Sequence, residues 1–269
     1  MHSKFLLGQI ALVTGASRGI GKGIALQLGE AGAIVYVTGR PPAKQEDVST
    51  SPNLPTLEKT AEEITARGGR GIAVYCDHSD PDEVKKLFGR IEKEQNGQLD
   101  ILVNNAYAGF TAVTKGATVK FYEEDPSVFD QVNNVDLKNH YICSVYAARL
   151  KVPRKKGFIV TVYSTGGVTN LFSVAYCVGK SACDRMTADM AHDLIDSNIV
   201  SISLCPGACV VALASDPNLL KKTGHILNTI DLAKEYNLFD EDGSQPKSAI
   251  IEKRRDFLKM INEVRSPKQ

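Results

Sequence analysis

The stretch IALVTGASRGIGKGIALQLGEA, residues 10–31, decides the fold. It opens with an apolar, β-branched run, Ile10 to Thr14, which reads as a strand. It closes with Ile20, Ile24 and Leu28 at helical spacing, so residues 20–31 read as a helix. Between the two stand Gly15, Ala16, Ser17, Arg18, Gly19, Ile20 and Gly21. Glycines there allow a tight turn and let the backbone approach an anion. The helix start then offers unpaired N–H groups and the positive end of its dipole. The segment is a candidate phosphate loop. The alternative is that the glycines only mark a strand-to-helix turn; placement between the first strand and the first helix favours the loop.

The same alternation continues along the chain. IVYVT (34–38), GIAVYC (71–76), Ile101 to Val103, FIVTV (158–162) and VSISL (200–204) read as strands, with Ile226-Leu227 as a short last one. Residues 57–67, 82–95, 126–150 and 175–195 read as helices. The first of these stops at Gly68-Gly69, and the second opens behind Asp80-Pro81, where proline is well tolerated. The strands are continuously apolar rather than alternating, which indicates a sheet covered on both faces by crossover helices. The expected fold is α/β, a doubly wound (Rossmann) mostly parallel sheet in a single domain, with its ligand beyond the carboxyl ends of the strands. The domain is expected over residues 5–245. Within it, RPPAKQEDVSTSPNLP (40–55) extends a connection. Residues 246–269 form a basic amphipathic tail, read as a solvated helix, with a partner surface or a weak membrane contact as alternatives.

Composition narrows the function. At 269 residues, 43% apolar and 23% charged, the chain can bury a core and is not disordered. Thirty-two basic against 31 acidic residues give +1, so no sequence-wide field points to nucleic acid. The six cysteines form no CxxC pair, and no histidine completes a metal set; no metal is expected. No run matches a membrane span or a signal peptide. A cytoplasmic location is expected, with peripheral contact to the endoplasmic reticulum through the tail as an alternative.

Tyr176 and Lys180 are spaced i, i+4 and share a helix face. Ser164 follows the fifth strand, twelve residues before the tyrosine, so all three can converge at the sheet's carboxyl edge. The glycine spacing here, Thr14-Gly15 then Gly19 and Gly21, resembles the TGxxxGxG of the short-chain dehydrogenase/reductase family. VNNAYAG (103–109), NNVDLK (133–138) and YCVGKSACD (176–184) carry the resemblance further. It implies an NAD(P)H-dependent oxidoreductase moving hydride between nicotinamide and a small-molecule carbonyl or secondary alcohol. It also makes Ser164, Tyr176 and Lys180 the family's catalytic set. A phenol's reference pKa is near 10, and the Lys180 ammonium together with an oxidised nicotinamide would favour its phenolate. Lys180 would also hold the ribose hydroxyls, and Ser164 would donate to the substrate oxygen.

The resemblance extends to the cofactor. Gly15, Ser17, Arg18, Gly19, Ile20 and Gly21 would hold the pyrophosphate. An NAD site usually has a carboxylate at the end of the second strand, whereas this chain has Thr38-Gly39-Arg40. Arg40 and Arg18 suit a 2′-phosphate, so NADP(H) is expected over NAD(H), with a merely solvated Arg40 as the alternative. Asp77 would contact adenine or shape a turn. Asn104 begins NNAY where the family has NNAG, with a cofactor-contacting or a structural role. Pro206 and Gly207 close the sixth strand beside the nicotinamide. For the family's fourth catalytic residue, an Asn, strict spacing selects Asp136 and one extra residue selects Asn134; Asn134 is carried, with a helix-surface amide as the alternative.

One region departs from the pattern. The family continues from Pro-Gly into a threonine and a helical substrate lid. Here Ala208-Cys209 run straight into VVALASDP (210–217), and the next threonine is Thr223. The lid is expected to be missing, as exon skipping or a deletion would produce. An alternative function follows: a catalytically impaired isoform that binds cofactor and acts through dimerisation or other interactions. A homodimer would use apolar faces of the helices at 126–150 and 175–195, which core packing explains equally well.

Overall fold

The computed structural model describes residues 4–41, 56–205, 209–239 and 242–265. Pro206, Gly207 and most of the 40–55 connection lie outside them. Seven strands form one sheet: β1 (Ile10–Val13), β2 (Ile34–Gly39), β3 (Arg70–Tyr75), β4 (Ile101–Asn104), β5 (Gly157–Val162), β6 (Ile199–Leu204) and β7 (Ile226–Leu227). Their order is β3-β2-β1-β4-β5-β6-β7, and every neighbouring pair is parallel. The chain winds one way from β1 through β3 and the other way from β4, so the carboxyl ends of β1 and β4 form the switch point where such sheets bind ligands.

The helices are α1 (Gly19–Glu30), α2 (Leu57–Ala66), α3 (Pro81–Glu94), α4 (Phe110–Gly116), α5 (Val128–Asn133), α6 (Asn139–Lys151), α7 (Val174–Leu194), α8 (Cys209–Ala214), α9 (Thr229–Tyr236) and α10 (Ala249–Arg265). Alternate strand residues face opposite layers. Val13, Val37, Val103 and Val160 pack with Ile24 and Leu28 of α1 and Ile64 of α2. Leu12, Tyr36, Leu102 and Ile159 pack with Leu87 and Ile91 of α3 and Ala147 of α6. This two-faced burial is the reason the strands read as continuously apolar.

Two expectations change. The single helix expected over 126–150 is split by a π-helical turn, Asn134–Lys138, between α5 and α6. The widened turn leaves Asp136 1% exposed instead of on a regular helix surface. The tail, expected as a solvated helix, buries one face. Leu258 of α10 packs on Tyr163 and Ile226, while the Asn262 side chain accepts from the Ile226 N–H (2.8 Å) and donates to its carbonyl (2.9 Å). These bonds satisfy backbone groups that an edge strand would otherwise present to water. Arg255 adds an ion pair with Asp231 at 2.8 Å. Among the described residues no helix is long and apolar enough to cross a membrane.

On α6, Lys151 is fully buried and donates to the Leu99 carbonyl. Burial pulls its pKa down to about 7, against the pull of Asp100. An amine with a depressed folded pKa is bound by more protons in the unfolded chain, so its drag on stability is full below about pH 7 and fades toward about pH 10. The melting-temperature difference between wild type and Lys151→Met should therefore move in wild type's favour from pH 7 to pH 10. A pH-independent difference contradicts this.

Candidate active site

The site grows from the first turn. Thr14, fully buried at the end of β1, donates its hydroxyl to the Val103 carbonyl (3.2 Å) and accepts the N–H groups of Asn105 (2.9 Å) and Ala106 (3.0 Å). That one side chain ties the loop after β4 to the loop after β1. Asn105 completes the tie, with its amide donating to the carbonyls of Thr14 (2.8 Å) and Gly15 (2.9 Å). Gly15 has φ +65° and the α-carbon of Ala106 close above it; a β-carbon there would come within 2.7 Å.

Above these loops a cleft of about 1120 Å³ opens at the carboxyl edge. Gly15, Ser17, Arg18, Ile20 and Gly21 line it, as do Arg40 beyond β2 and Asp77 beyond β3. The α1 N-terminus faces it with no side chain capping the first turn. Such a cradle of backbone N–H groups flanked by two arginines fits a dinucleotide's phosphates. Asp77 both lines the cleft and shapes the turn, accepting from the Ser79 N–H (3.0 Å) and hydroxyl (2.6 Å). Asn104 is placed elsewhere. Its side chain is fully buried and donates to the Ser144 hydroxyl at 2.9 Å, and Asn105 lines the cleft in its stead. Gly19, at φ +57°, turns the loop without lining the cleft.

Ser164, Tyr176 and Lys180 line the same cleft. Ser164 follows β5 and starts a single 3-10 turn. Its oxygen accepts the Gly166 N–H (3.2 Å) and the Tyr176 hydroxyl (2.7 Å). Ser173 caps α7 by accepting the Tyr176 N–H at 3.4 Å, which starts the helix so that Tyr176 and Lys180 both face inward. The Lys180 ammonium is 5.8 Å from the Tyr176 ring centre and 5.2 Å from that of Tyr107. Tyr107 and Phe172 stand edge-on to Tyr176, at 6.1 and 5.4 Å between ring centres.

Asn134 lines the cleft, but the side chain that reaches Lys180 is Asp136, with both oxygens 2.9 Å from the ammonium. Burial alone would lower the Lys180 pKa; the Asp136 carboxylate outweighs it and holds the pKa above its ordinary value. Sequence spacing missed Asn105 and Tyr107. The only signal for Tyr107 was that NNAY departs from NNAG.

Residues 9–219 match the family model for short chain dehydrogenases. The chain is 44% identical to dehydrogenase/reductase SDR family member 1 of Mus musculus, over 89% of this chain and 85% of that protein. It is 30% identical to NADPH-dependent aldehyde reductase 2, chloroplastic, of Arabidopsis thaliana, over 88% of this chain and 83% of that one. Among solved structures, a metagenomic short-chain oxidoreductase in complex with NADP superposes with a TM-score of 0.68 at 29% identity, covering 80% of this chain and 94% of the other.

Proposed function

Because the chain belongs to the short chain dehydrogenase family, whose members are nicotinamide-dependent oxidoreductases, we propose that it interconverts a small-molecule carbonyl and its alcohol with NADP(H) in preference to NAD(H). One observation carries the reading: Ser164, Tyr176 and Lys180 share a cleft with the glycine turn and both arginines.

When bound, the nicotinamide supplies or accepts the hydride. The chain's own residues bind, orient and move one proton. Ser164 already accepts two hydrogen bonds, so its own hydrogen is left to donate to the substrate oxygen. That bond stabilises the charge that develops on this oxygen during reduction. Tyr176 then passes its phenolic proton to the same oxygen, and takes it back in the oxidative direction. Lys180 faces the phenolate so formed with a positive charge.

The preference for NADP(H) is supported by Arg18 and Arg40 lining one cleft with no carboxylate at the end of β2. The named relatives that use NADPH or carry NADP agree with it. Arg40→Asp should weaken NADPH binding by about tenfold or more while leaving NADH binding unchanged or stronger, as read by fluorescence titration. Wild-type protein binding NADH more tightly than NADPH contradicts the preference.

The missing lid is part of this proposal: the alignment with the mouse relative runs over 279 positions, more than the 269 of this chain, yet covers only 89% of it, so that relative carries segments without a counterpart here, wherever along the chain they fall. An uncovered substrate end would relax selectivity. Exposed Tyr141 on α6 and Val174 and Val178 on α7 support a homodimer through those helices. The function is tested by NADPH oxidation against a panel of aldehydes, ketones and quinones. Turnover of at least one class is expected. Dinucleotide binding without turnover across the panel would overturn the enzyme and favour a non-enzymatic, interaction-based role.

A further inference from the structure

Asp136 is a carboxylate 1% exposed, held by the π turn between α5 and α6. Among the described residues, titratable groups from three elements face it. From α7 come Lys180, at 2.9 Å from both oxygens, Cys183, whose sulfur is 4.0 Å away, and Asp184, close enough to interact electrostatically. From α6 comes His140, whose Nδ1 is 3.4 Å away. From the loop after β4 comes the Tyr107 phenol, whose ionisation Asp136 opposes. His140 has its Nε2 3.1 Å from the Ala106 carbonyl, so that nitrogen carries the hydrogen and Nδ1 is left a lone pair. Its imidazole is neutral, because complete burial lowers its pKa to about 4. Lys180 is thus the cation that meets this carboxylate, and Asp136 is the anion that meets this ammonium.

Resting on the function proposed above, we propose that Asp136 is a positioning residue, the internal counter-ion of Lys180, which fixes the ammonium beneath the Tyr107 and Tyr176 rings and cancels part of its charge. Two consequences follow. An ammonium on a flexible four-carbon stem is held at one place beside the phenol. That carboxylate is also what keeps the buried amine protonated against desolvation, so an uncharged residue at 136 changes the charge that stands beside the Tyr176 phenol. Tyr176, for its part, faces Ser164 beyond β5, Tyr107 beyond β4, and Lys180 on its own helix.

The test is the ultraviolet titration of Tyr176, taken as the difference between each protein and its Tyr176→Phe version, for wild type and for Asp136→Asn. No turnover is needed, so the outcome stands apart from whether the carbonyl reading holds. The midpoint should move by about one pH unit in Asp136→Asn; coincident midpoints overturn the proposal. In an active enzyme the pH profile of alcohol oxidation should move the same way by the same amount. If Asp136→Asn does not fold, Lys180→Met and Lys180→Met/Asp136→Asn decide the matter. A counter-ion role requires the double variant to melt above the single one, because the single leaves a buried charge unpaired. A double variant melting at or below the single overturns the proposal.

Discussion

Tyr176→Phe should lose at least about 10²- to 10⁴-fold in kcat, the usual contribution of a positioned proton donor. It should bind NADPH nearly as well as wild type. The substitution keeps the ring, and with it the edge-on contacts to Phe172 and Tyr107. It removes one oxygen, the one bonded to Ser164 at 2.7 Å. Loss of that hydrogen bond costs about 1 kcal/mol of stability, too little to unfold a domain of this size. The dinucleotide's phosphate cradle, at Gly15 to Gly21, is built by other elements and should be untouched. Steady-state rates beside a binding titration separate the two effects. Near-normal turnover in Tyr176→Phe would remove the phenol from the chemistry, whatever the cofactor affinity.

The second large effect is expected at Gly21. A β-carbon there would press on the Asn105 amide nitrogen and come within 2.6 Å of the Gly15 carbonyl oxygen and 3.1 Å of the Ala16 α-carbon. None of these can yield cheaply. Two are backbone atoms, and the third is bonded to the carbonyls of Thr14 and Gly15. Gly21→Ala must therefore spread the loop from the first strand's end and separate it from the loop after β4. Dinucleotide affinity should fall at least about tenfold, equivalent to about 1.4 kcal/mol. Gly23, two residues on in the same helix, is the control: no atom lies within 4 Å of its would-be β-carbon. Gly23→Ala should bind normally and gain slightly in stability from better helix propensity. Equal affinities for the two variants would contradict the cradle.

Much of this was legible in the sequence, for a reason visible in the core. Strands buried on both faces must be continuously apolar, and helices between them must show a period near 3.6, so the element order could be read directly. Ser164, Tyr176 and Lys180 were legible because a strand end and one turn of regular helix fix their relative places. Strict spacing selects Asp136; it is the resemblance, which asks for an Asn, that directs the choice to Asn134, and the structure instead buries Asp136 in the π turn against Lys180. Asn104 and Asn105 exchanged roles at a strand end. Along β4 successive side chains alternate, which turns Asn104 toward α6 and leaves Asn105 for the cleft. The amphipathic tail reads as a solvated helix because nothing in its own sequence says which surface would cover its apolar stripe. The answer, the β7 edge, is 36 residues away in sequence at the Ile226–Asn262 contact.

Hydride delivery inside this cleft is tested most directly with NADPH carrying deuterium at the transferable ring position, mixed with the unaltered protein and the best carbonyl from the panel. The product alcohol should hold one deuterium, on the former carbonyl carbon, for each NADPH consumed. An alcohol free of label, or NADPH loss with no alcohol formed, would contradict the mechanism at its first step.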